Sequence, residues 1–170
     1  MPASPDQIKT AIAEFISLIE SDGISPENRL LRLRRSVDQL ALLQHDVSYA
    51  FDDRDYPDTP QKDYQALREI VSSRFPELGY YNVPASVTQH IAEADMHVGD
   101  AIDDIADIAR DLYDVQWRWE NTSADDALWY FTNNYFTHWE EHLRGLQLYL
   151  QRLAAGHEET NAPNRPPPKS

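Results

Sequence analysis

Two short segments, Ser4-Pro5-Asp6-Gln7 and Ser25-Pro26-Glu27, constrain this chain more than any other feature. Each puts a serine where a helix start needs a side-chain acceptor. Each then puts proline at the first helical position, where its missing N–H costs nothing. In the first, the glutamine three residues after the serine completes a capping box. Behind each start the apolar residues recur at three- and four-residue spacing: Ile8, Ile12, Phe15, Ile16 and Ile19, then Leu30, Leu33, Val37, Leu40 and Val47. That period suits a helix with one buried face.

The rest of the chain reads the same way. Asp52 to Pro60 is polar and carries two prolines, so it predicts a loop. Thr59-Pro60 predicts the start of a third helix through Tyr64, Leu67, Ile70 and Val71, ending before Pro76. Phe75 to Pro84 reads as an ordered loop whose adjacent Tyr80 and Tyr81 pack on something. Residues 86–97 fit either a short helix or the first turns of the next one. A fourth helix is expected over about 98–119, with Ile102, Ile105, Ile108, Ala109, Leu112 and Val115 on one side. A fifth opens at Ser123 and runs to about Ala155, some 45 Å at about 1.5 Å per residue. No strand pattern competes. The expected fold is all-α: a single antiparallel bundle of about five helices over residues 1–156, the last two long. A disordered proline-rich tail is expected over 157–170.

Composition enters mainly as exclusion. The absence of cysteine removes thiolate metal sites, disulfides and a cysteine nucleophile. No P-loop, G-x-G-x-x-G or G-x-S-x-G motif occurs among five glycines. The net charge of −14 disfavours nucleic acid and anionic lipid as partners. The start lacks the pattern of a signal peptide and no apolar run reaches a membrane span, so a soluble cytoplasmic protein is expected. No signal of oligomeric state is visible.

Three constellations carry whatever chemistry the residues suggest. Asp100, Asp103, Asp104, Asp107, Asp111 and Asp114 fall within an arc of about 100° on the fourth helix, nearly opposite its isoleucines. Carboxylates in such a row repel one another at i+3 and i+4, so something must offset the cost. The expectation is a solvated face or pairing with Arg29, Arg32, Arg34 and Arg35. A divalent-cation site is the sharper alternative. Second, His138 and His142 stand one turn apart in His-Trp-Glu-Glu-His, a spacing that suits a shared metal. The string matches the H-x-x-E-H of inverted zinc peptidases, but no downstream acidic ligand follows outside the chain end. His142, with Gly145 beside it, is therefore read as a satisfied core residue against which a neighbouring segment approaches closely. Third, Trp117, Trp119, Trp129 and Trp139 all lie in the last two helices. They are read as core filling, with a pocket for a flat ligand as the alternative.

Leu78-Gly-Tyr-Tyr81, the run Val98 to Leu112, Ala127-Leu-Trp129 and Thr137-His-Trp139 with His142 together resemble a bacterial family catalogued as a domain of unknown function, number 5063. The resemblance spans roughly residues 5–155. It implies a small helical fold and supplies no activity. It marks Gly79, Tyr80, Tyr81, Asp100, Asp103, Asp104, Asp107, Arg110, Asp111, His138, Trp139 and His142 as family-like positions. After Tyr81 the chain departs from the family pattern, with Asn82-Val-Pro where a tryptophan-containing continuation belongs. From these positions a small polar pocket is expected between Tyr80, Tyr81, the edge of the aspartate helix, His138 and His142. Functionally, the expectation is a non-enzymatic interaction or regulatory module, its acidic face meeting another protein, with no metal and no cofactor. The alternative is a metal-dependent hydrolase of a nucleotide or phosphate ester.

Overall fold

The structure, a computed structural model, describes residues 3–156, so the expected tail over 157–170 lies outside the described residues. Helices α1 (Pro5–Glu20) and α2 (Pro26–Gln44) form an antiparallel pair. The Ser4/Gln7 capping box is present in full at the start of α1. Helix α3 (Tyr64–Arg74) opens behind Asp63, whose carboxylate accepts the Ala66 N–H, and not at Thr59-Pro60. Thr59 donates its hydroxyl to Asp114 instead. Helix α4 (Ala101–Asn121) starts at Asp100, which accepts the N–H groups of Ile102 and Asp103.

The expected fifth helix is helical throughout but not uniform. Helix α5 (Ala124–Asn134) passes through a π-helical turn, Tyr135–Trp139, into α6 (Glu140–Ala154). Counting that rod once, the molecule is the expected five-helix bundle. Helix α4 is its centre: it packs against α1, α3, α5 and α6. Its Ile105, Ile108, Ala109, Leu112 and Val115 are fully buried. Around the π turn, Trp139 sits 4.8 Å from Tyr135 and 5.4 Å from Phe131, ring centre to ring centre.

One expectation fails in kind. The tyrosine loop is a strand, β1 (Tyr80–Pro84), paired antiparallel with β2 (Met96–Asp100), Tyr81 opposite Gly99. Proline at the end of β1 and exposed Val87, Ile91 and Met96 left no apolar alternation to read in the sequence. The pairing delivers β2 directly into α4, so the hairpin aims Tyr81 at the aspartate helix.

Candidate functional site

The aspartate row is not a solvated face. Helix α4 is covered on both sides, and Asp104 and Asp107 are only 5% and 8% exposed. Buried carboxylates must be paired or hydrogen-bonded, and each member of the row has a partner. Arg68 holds Asp100 at 2.5 Å and Asp103 at 3.5 Å. Tyr64 donates to Asp103 and, at 3.2 Å, to Asp107. Arg118 and Thr59 take Asp114. Three arginines of α2 are occupied elsewhere: Arg29 donates to the carbonyls of Leu18, Ser21 and Ile24, Arg32 to Ser17, and Arg34 to Gln151.

The middle of the row faces the histidines, so two constellations that lie apart in the sequence form one cluster. His142 Nδ1–H donates to Asp104 Oδ1 at 2.8 Å, and His138 Nδ1–H to Asp111 Oδ2 at 2.7 Å. An ionised carboxylate only accepts, which puts the proton on Nδ1 in each ring. For His138 a second observation agrees: Arg110, which can only donate, approaches its Nε2 at 3.3 Å. In a neutral imidazole so tied, Nε2 carries the lone pair. Both Nε2 atoms point at one residue, lying 3.7 Å from Asp107 Oδ1 (His138) and 3.7 Å from Asp107 Oδ2 (His142). Asp107, His138 and His142 each offer one ligand atom, all within 4.8 Å of one another. Donors about 2.1 Å from a tetrahedral ion stand about 3.4 Å apart, so small side-chain movements would close this set on a metal.

Tyr81 supports the arrangement from the hairpin. Its ring stacks on Tyr149, centres 4.9 Å apart, and its hydroxyl donates to Asp104 Oδ2 at 2.5 Å. The ring passes between two glycines. A Cβ on Gly99 would come within 2.6 Å of it, and one on Gly145 within 2.5 Å of its oxygen. The close approach expected at Gly145 is thus made by a tyrosine side chain. Tyr80, the residue before it in β1, projects from the opposite face of the strand. Trp139 also lies apart, fully buried in the aromatic core.

Electrostatics follow from burial. Desolvation pushes the carboxyls of Asp104 and Asp111 above the usual range, against the pull of their histidine bonds. The hydrogen bond to Asp104 pushes His142 upward. Asp104, Asp107 and Asp111 against Arg110 leave a local charge of about −2 while the imidazoles are neutral, the complement of a divalent cation.

With this geometry in place, the comparisons with known proteins can be weighed. The profile of the domain of unknown function DUF5063 matches residues 3–156. The chain belongs to that family. DUF5063 carries no assigned activity, and no curated protein matches the chain. The chain is similar in fold to the crystal structure of protein BF1032 from Bacteroides fragilis, with a TM-score of 0.68. The two are 19% identical over 87% of this chain and 90% of that one, a likeness that shows the fold alone. Among the described residues of this DUF5063 member, no helix is long and apolar enough to cross a membrane.

Proposed function

We propose that this protein binds a divalent first-row transition-metal ion through Asp107 and the Nε2 atoms of His138 and His142. One observation carries the reading: both imidazoles have Nδ1 tied to a carboxylate while both Nε2 atoms converge on a third carboxylate. A ligating histidine is held in just this manner, its far nitrogen donating to a carboxylate that fixes the tautomer and strengthens the donor. Two imidazoles and one carboxylate suit zinc, iron, manganese or cobalt better than calcium or magnesium. Three protein ligands leave coordination positions for water or substrate, the condition for metal-assisted chemistry. A docking role for the acidic face draws less support, because the carboxylates at the middle of the row are turned inward.

Titration of metal-stripped protein with Co²⁺ tests this. One equivalent should bind and give visible absorption bands of a nitrogen–oxygen site, and His142→Ala should abolish them. A wild-type protein that takes up no ion at one equivalent, with melting temperature unmoved by Co²⁺, Zn²⁺ or Mn²⁺, overturns the proposal.

A further inference from the structure

Beside the cluster lies a cavity of about 520 Å³ between the 58–62 loop and α4, lined among others by Lys62, Arg110, Tyr113, Trp117, Arg118 and Tyr130. Its volume is that of a small-molecule site. Two of the carboxylates in its wall are already engaged, Asp111 by His138 and Asp114 by Arg118 and Thr59; Asp58 is exposed at the rim. Arg118 is spent on Asp114 and Asp126. Lys62 lies 3.9 Å over the Tyr113 ring, and no carboxylate pairs with it among the described residues. The remaining cation, Arg110, belongs to both places. It lines the cavity, yet its Nη2 sits 2.9 Å from Asp107 Oδ1 and 3.3 Å from His138 Nε2.

That position conflicts with a metal ion. An ion using the His138 Nε2 lone pair removes the acceptor that Arg110 addresses, and a cation seated at that nitrogen, 3.3 Å from Arg110 Nη2, repels the guanidinium. Loading the metal therefore turns the guanidinium away, and the adjoining cavity is the open space it already borders. There it joins Lys62. Two cationic donors then face a space whose Trp117 has no ring or guanidinium stacked on it among the described residues. The charge of −14 opposes anions over the molecule as a whole, so the added positive charge of metal and arginine is what makes the cavity fit for one.

Resting on the metal reading above, we infer that this cavity binds a phosphate monoester carrying a flat ring, and that it does so in the metal-loaded protein, with Lys62 and the displaced Arg110 on the phosphate and Trp117 under the ring. Guanidinium and ammonium to phosphate are charge-assisted bonds.

The test is calorimetric titration of adenosine monophosphate, inorganic phosphate and adenosine into Co²⁺-loaded and metal-stripped protein, with Co²⁺ content measured separately. Adenosine monophosphate should bind the loaded form at least about tenfold tighter than the stripped form. Lys62→Ala should weaken it about tenfold at unchanged metal content, and Trp117→Ala should bring its affinity down to that of inorganic phosphate. Full metal uptake with no binding of adenosine monophosphate, or with equal binding to both forms, overturns the inference and leaves the metal site standing. Binding of adenosine as tight as its phosphate also overturns it. Failure to take up Co²⁺ at all overturns the metal reading itself, and the inference with it.

Discussion

Helix α4 carries two clusters of partly buried charge, and they are built on opposite principles. At its C-terminal end Arg118, with a side chain only 7% exposed, holds Asp114 at 3.0 Å and Asp126 at 3.2 Å and lies 3.3 Å over the Tyr130 ring. Thr59 and Thr122 donate to the same carboxylates. Every strong donor there points at a fixed acceptor, and the cation cannot lose its proton. Two turns earlier, Asp104, Asp107 and Asp111 are offset by imidazoles, phenols and one arginine in a strained double role. There both Nε2 atoms converge on the single carboxylate of Asp107. The first cluster is finished as it stands and locks α4 to α5. The second, on the metal reading proposed above, is completed by a further cation.

Removing the finished pairing should do the most damage to stability. Arg118→Met leaves two carboxylates partly buried without their cation and should cost about 3–5 kcal/mol in urea unfolding. A loss below about 1 kcal/mol would mean the two clusters do not differ as described. The next effect falls on the other cluster and on affinity. Asp104→Asn removes the carboxylate behind His142 and should weaken Co²⁺ binding about 10–100-fold. Metal competition titration checks this, and no change would detach Asp104 from the site.

A smaller effect follows from the tyrosine clamp. The Cβ of Gly145→Ala meets the far end of the Tyr81 side chain, which can shift, so a cost near 1 kcal/mol is expected. The shift breaks the bond to Asp104, so Co²⁺ affinity should fall as well, although the substitution touches no ligand. Smallest is a pH effect in the metal-free protein. Asp104 raises the folded-state value of His142. Its contribution is then fully present below the unfolded value of about 6.5 and lost as pH rises through the folded value. Stability should decline from pH 6 to 8 in wild type, and that decline should be lost in His142→Ala, as urea unfolding across the range would show. Arg118→Met should keep the slope, since its cluster contains no imidazole.

The bundle was largely legible because its instructions are local. Ser4 with Gln7, and proline at the first position of α1 and α2, set their helices within one turn of chain. The site was legible in its parts and hidden in its assembly. The row of aspartates opposite the isoleucines looks solvent-facing on one helix alone, and only the central placement of α4 turns it inward. The carboxylate that faces both histidines stands upstream of them, as Asp107, brought back by a long antiparallel return that spacing within one segment cannot reveal. Tyr64, read as a helix-face residue, proved to hold Asp103 and Asp107 through its hydroxyl. The hairpin escaped notice because its strands are five residues each and Met96 and Val98 of β2 stay exposed.

The π turn has a consequence of its own. It sits between the aromatic anchor on α5 and His142 on α6, so it acts as one surplus tooth in a ratchet. The wide turn absorbs one residue more than an α turn, so removing a single residue from 135–139 would leave an ordinary helix with everything beyond it facing almost as before. Leu143, Leu146 and Leu150 would keep their side of the core and His142 its side toward Asp104, while His138, inside the turn, would lose its aim at Asp111. A deletion of one residue there should thus disturb the fold far less than a deletion within α5 or α6, where each lost residue shifts the phase by about 100°.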